Sequence, residues 1–213
     1  MVQNQTIARD RCFAGTLLWF VIPLLALIAI DFLTWQLWLE DRSITAENNL
    51  LENLQLLLLI LSFVIHGYRR FQESVPDFHI YHTTLALLCF SLALREFDID
   101  KIGSSEIWSS FEIFIRSIAV CAWVVILFRL VQSFSKFWTV HWRIFWAPKS
   151  LLNYIAIAFY IASWFFDKGF VAINPDASKY IEESFQLAAT GYFLAGAMIP
   201  RSYPRTTRDS PSR

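Results

Sequence analysis

The sequence predicts an all-α, polytopic integral membrane protein, with six transmembrane helices as three up-down hairpins and a short interfacial amphipathic helix near 134–146. Three observations carry this reading. The 213-residue chain is 56% hydrophobic and 17% aromatic, above the roughly 45–50% apolar content of a soluble domain. Only 17% of it is charged, against about 25% ordinarily. The apolar residues also gather into runs close to the roughly 20 residues that a bilayer requires. Such a composition excludes a disordered chain and a nucleic-acid binder run on bulk positive charge, and it argues against a soluble enzyme.

The first run, 15–39, is too long for a signal-peptide core and ends without a small-residue cleavage site, so it reads as an uncleaved first span. The second (50–68), fourth (109–131) and sixth (181–200) are of ordinary length. The third (78–94) and fifth (151–166) are short and extend into their flanks. Brief loops leave no room for a soluble domain, so residues 1–213 form a single membrane domain with a flexible basic tail over 201–213. In the segment before the fifth span, Phe134, Trp138, Trp142, Phe145 and Trp146 share one helical face, with Lys136 and Arg143 opposite. That pattern suits a helix lying in the membrane interface, stopped by Pro148. Cys12, Cys89 and Cys121 are an odd set with two members at mid-span, which is no disulfide framework.

Charge fixes the expected orientation. Lys+Arg and Asp+Glu number 18 each, but they are not mixed. With the N-terminus inside, the inner segments hold Arg9, Arg11, Arg69, Arg70, Arg129, Lys136, Arg143, Lys149 and the four tail arginines, against only Asp10, Glu73, Asp77 and Asp209. The positive-inside rule then places both termini in the cytoplasm. A bacterial inner membrane is the expected location.

Each outer turn begins with an acid–base step, Asp41-Arg42, Asp100-Lys101 and Asp167-Lys168. Each descending helix then opens on a glutamate with a polar partner one turn later: Glu52 and Gln55, Glu112 and Arg116, Glu183 and Gln186. Spacings of three or four put both members on one face. Capping explains a single such glutamate. The stripes run deeper, through Ser62 and His66 on the second span and Thr190 on the sixth, and polar groups at that depth should face the bundle interior. Asp31 and Arg116 each lie roughly 12 Å below the outer boundary at about 1.5 Å per residue. Their unpaired cost predicts a structural ion pair between them, or pairing with Arg95 and Glu112 above.

Two groupings of residues bear on chemistry. His79 and His82, at i and i+3, could share a helix face at the inner edge with His66 nearby, but a haem pair belongs inside the span on facing helices, so haem is disfavoured. At the outer edge Glu52, Glu96, Asp98, Asp100 and Glu182 form a candidate oxygen-ligand set for Mg²⁺, Mn²⁺ or Ca²⁺. Glu112 and Glu183 are the candidate acid–base residues, with Arg95, Arg116, Gln55 and Gln186 as substrate or anion contacts. The sequence carries no Gly-x-Ser-x-Gly elbow and no His-Glu-x-x-His zinc motif.

Three functions follow as alternatives. One is a carboxylate-rich exoplasmic site acting on a lipid headgroup or lipid-linked substrate. Another is a non-enzymatic accessory or scaffold subunit contacting a membrane-protein partner, for which Gly191 and Ala195 offer a small-residue packing face. The last is proton or cation transport along the polar stripes. Whether the chain is an enzyme is open at this level.

Overall fold

The computed structural model describes residues 2–45, 50–72, 76–97, 106–132, 148–170 and 174–199. Among them the chain is all-helical with no strand: α1 (Val2–Glu40), a 3₁₀ turn (Arg42–Thr45), α2 (Leu50–Gln72), α3 (Pro76–Glu96), α4 (Glu106–Gln132), α5 (Pro148–Asp167) and α6 (Pro175–Met198). The first five expected stretches lie on α1 to α5, and the sixth lies on α6 as far as Met198, where that helix ends. The interfacial helix near 134–146, the tail over 201–213, Asp98 and Asp100 lie outside the described residues.

The helix ends follow from local chemistry. Pro76, Pro148 and Pro175 open α3, α5 and α6, where a missing N–H costs nothing. At α6 the Asn174 side chain also accepts from the Asp176 amide at 2.9 Å. α5 stops because Gly169 takes φ +65°, which glycine adopts without a Cβ penalty. Its amide bonds Phe166 O and the Phe170 amide bonds Phe165 O, both at 3.1 Å, while the Phe170 ring folds back onto Trp164 and Phe165. This is a glycine-terminated helix end with its apolar clasp. After α1, the Ser43 amide and hydroxyl both bond Asp41 at 2.8 Å and hold that exposed carboxyl below its ordinary range.

Four helical segments are long and apolar enough to cross a membrane: Phe20–Glu40, Leu50–Gln72, Glu106–Gln132 and Ser150–Asp167. α3 and α6 are not among them, and the reason lies in packing. α6 is the least exposed helix, burying Glu183, Gln186, Leu187, Thr190, Phe193 and Ala197 among others. α5, α2 and α1 all pack on it, and α2 packs on α3. A helix surrounded by protein can carry polar groups that a lipid-facing helix cannot. The core joins Leu59 of α2, Leu85 and Cys89 of α3, Leu152 and Ala156 of α5, and Phe193 of α6.

Close approach to α6 depends on its small residues. A Cβ on Gly191 would meet Leu27 Cδ2 of α1 at 2.5 Å, and one on Gly196 would meet Asn153 Oδ1 of α5 at 2.9 Å. Of the two residues expected to form a packing face, Gly191 receives α1 and Ala195 turns into the core. α4 is the outlying helix. It packs on α3 and buries only Ala119 and Ile126.

Candidate functional site

The first turns of α2 and α6 and the last turns of α3 and α5 meet at one end of the bundle. There Gln55, fully buried, donates its Nε2 to Glu183 Oε2 at 2.7 Å and to the Glu183 backbone oxygen at 3.1 Å. Glu183 is itself only 5% exposed. The Glu52, Glu182 and Glu96 carboxylates all lie near enough to act on it electrostatically. One turn on from Glu182, Gln186 Nε2 donates to Glu182 Oε1 at 3.0 Å. Tyr160 of α5 donates to Glu96 Oε1 at 2.7 Å. Arg95 stands at the edge, its Nε 3.7 Å from Glu96 Oε1 and its guanidinium 5.6 Å from the Tyr160 ring centre.

The layer therefore unites Gln55, Glu52, Arg95, Glu96, Glu182, Glu183 and Gln186, all singled out by spacing in the sequence. It also recruits Tyr160, which the sequence reading missed because an aromatic in an apolar span reads as packing. Chemically it offers several carboxylates held by neutral amide and phenol donors, beside a half-exposed guanidinium. Such a layer can exchange a proton at a buried carboxylate and hold an anion at its edge.

One sequence expectation needs correction. Asp31 and Arg116 do not pair with each other, while the alternative, pairing with Glu112, holds for Arg116. Arg116 lies on α4 and pairs with Glu112 at 2.5 Å along the same helix, adding a long contact to Leu94 O at 3.4 Å. Asp31 lies on α1, where Tyr180 of α6 donates to its backbone oxygen at 2.9 Å and its Oδ1 at 3.3 Å. Shared depth did not mean shared position, because α1 docks on α6 and α4 docks on α3. Glu112 thus lies with Arg116 on α4, the helix that packs on α3. Among the described residues no three His, Cys, Asp or Glu side chains are grouped to hold a metal ion, and Asp98 and Asp100 of the candidate set lie outside those residues. Glu96 accepts from Tyr160 and Glu182 from Gln186.

The opposite end of the bundle holds a second polar group. His66 of α2 and His82 of α3 are buried, with their Nδ1 atoms 3.0 Å apart, so one ring presents N–H and the other a lone pair. Beside them the Tyr81 hydroxyl accepts from Asn153 Nδ2 at 2.9 Å and Ser150 at 3.3 Å. Arg69 bonds the Ile199 and Met198 carbonyls at the end of α6, a usual role for a basic side chain at a helix C-terminus. Between the two ends, Ser62 gives its hydroxyl to Leu58 O and Thr190 to Leu187 O. The mid-span stripe is thus satisfied within its own helices.

Two grooves open on the flank of the bundle. One, of about 230 Å³, runs between α3 and α5 with Phe193 of α6 on its wall and Arg95 and Tyr160 at one end. The other, of about 290 Å³, lies along α1, α5 and α6 with Asp31 and Tyr180 on its lining. Compared with protein-family models, with curated proteins and with solved structures, the chain matches none.

Proposed function

We propose that this chain is a six-span protein of a bacterial inner membrane, its helices arranged as three up-down hairpins with both termini in the cytoplasm, and that its exoplasmic layer acts on a lipid or lipid-linked substrate. The positive-inside distribution supports the orientation. The pairing of helix ends supports the hairpins: Gln55 with Glu183 at the acidic end, His66 with His82 and Arg69 with Ile199 at the basic end.

One observation carries the functional reading. Glu183 is a carboxylate at the first turns of a central helix, withdrawn from solvent and within electrostatic reach of three more. Crowded like charges need protonation or a counter-charge, so Glu183 is the group suited to take or give a proton, with Arg95 as the nearby anion contact. The flanking grooves lead laterally toward lipid, which suits a substrate that arrives within the membrane. Conduction gains no comparable support, since fully buried Leu59 and Phe193 occupy the core between Gln55 and His66.

The test is reconstitution into vesicles of phosphatidylethanolamine, phosphatidylglycerol and a polyprenyl phosphate, followed by lipid mass spectrometry. The expected result is a change in one lipid species that Glu183→Gln abolishes while keeping its thermal midpoint. Unchanged lipids with the wild type, or equal turnover by the variant, would return the chain to a scaffold role.

A further inference from the structure

The α3–α5 groove differs from a casual surface furrow in how its polarity is distributed. Its walls are Leu88 and Leu92 from α3, Ile161 and Trp164 from α5, and Phe193 from α6. Its polar groups, Arg95 and the Tyr160 hydroxyl, belong to the outward-running turns of α3 and α5. From Leu88 to Arg95 the groove follows α3 for about 10 Å at roughly 1.5 Å per residue. An apolar trough of that length ending in a cation is complementary to a molecule with an apolar tail and an anionic head.

Arg95 is placed to meet that head. It is nearly half exposed, and its contacts among the described residues use Nε toward Glu96 and the guanidinium face toward Tyr160. Among the described residues neither Nη group has a side-chain partner. Glu96 Oε1 accepts from Tyr160 at 2.7 Å and stands 3.7 Å from Arg95 Nε, so this carboxylate is held on the Nε side of the guanidinium.

We infer that this groove seats one acyl chain of an anionic, phosphate-headed lipid, with the phosphate on the Arg95 guanidinium. This rests on the lipid-facing reading of the outer layer given above and names the substrate class for it. Arginine binds phosphate through a rigid fork of N–H donors, and a charge-assisted contact of this type corresponds to about tenfold in affinity.

Trp164, on the groove wall, reports occupancy. The full chain in nanodiscs is titrated with dibrominated phosphatidylglycerol or dibrominated phosphatidylcholine at equal mole fraction, and the quenching lost on Trp164→Phe is taken as the Trp164 signal. The expected result is half-quenching at about tenfold less phosphatidylglycerol than phosphatidylcholine. Arg95→Gln should erase that preference and Arg95→Lys should keep part of it. Leu88→Phe, which fills the trough and leaves the charge in place, should weaken quenching by both lipids. Equal quenching by the two lipids, a preference that survives Arg95→Gln, or unaltered quenching in Leu88→Phe would each overturn the assignment. Inorganic phosphate alone raising the thermal midpoint as much as the lipid would do so too, by showing a bare anion site. Glu183→Gln should leave the preference intact, so failure of the groove and failure of the carboxylate chemistry are read separately.

Discussion

Gln55 donates the same amide nitrogen to both the side chain and the backbone of Glu183, at 2.7 and 3.1 Å. A single neutral group on α2 thereby sets the carboxylate position and the register of α6 against α2. Replacing it with Leu leaves Glu183 buried without its donor, a change that costs about 1–3 kcal/mol. Thermal unfolding in detergent should show a clear drop in midpoint for Gln55→Leu. The double variant Gln55→Leu/Glu183→Leu should recover much of it, because removing both polar partners restores a satisfied core.

The histidine pair at the other end allows a second double-mutant cycle. His66→Leu or His82→Leu alone removes the contact between the two rings, and the double variant measures what that contact contributes. The coupling between them should be about 0.5–3 kcal/mol and favourable. Additive losses in midpoint would show that the 3.0 Å contact contributes nothing.

Gly191 and Gly196 should respond differently to alanine. The atom that Gly191→Ala meets is the far end of Leu27, which can rotate, and Leu27→Ala should relieve the clash. Gly196→Ala meets the Asn153 amide, held in place by Tyr81. Overpacking at such a site costs about 1–3 kcal/mol, and the larger loss of midpoint is expected at Gly196.

Asp31→Arg combined with Arg116→Asp should express no better than either change alone. Each residue has its own partner, Tyr180 for Asp31 and Glu112 for Arg116. Arg116→Gln with Glu112→Gln, which removes a pair along one helix, should instead be milder than Arg116→Gln alone.

Because Glu96 and Glu182 face separate neutral donors, chelation should not unfold the protein. A thermal midpoint that stays level between EDTA and added Mn²⁺ is the expected outcome. A rise of several degrees with Mn²⁺ would point instead to a metal drawn in by carboxylates such as Asp98 and Asp100.

The carboxylate layer was legible in the sequence to the extent that depth and helical face decide it. Glu52 with Gln55, and Glu183 with Gln186, are each spaced to share a face, and each pair begins a helix, so the four could be placed at one level. What spacing does not carry is azimuth, meaning which neighbour each helix turns toward. Asp31 and Arg116 have the same depth and the opposite charge, yet they lie on helices docked to different neighbours. Tyr160 was hidden for a related reason: its ring suits an apolar span, and only the position of Glu96 turns its hydroxyl into a partner. Hydropathy also ranks the helices by what surrounds them as much as by whether they matter. α4 is among the most apolar and buries almost nothing, while α6 falls short in apolar length and holds the core together.

That inversion has a consequence for biogenesis. α6 is not among the helices long and apolar enough to cross a membrane, and among the described helices it follows α1, α2, α3, α4 and α5 in the chain. Until it is synthesised, Gln55 of α2 lacks the Glu183 oxygens to which it donates. The buried pair at the candidate site therefore forms only once α6 has been made.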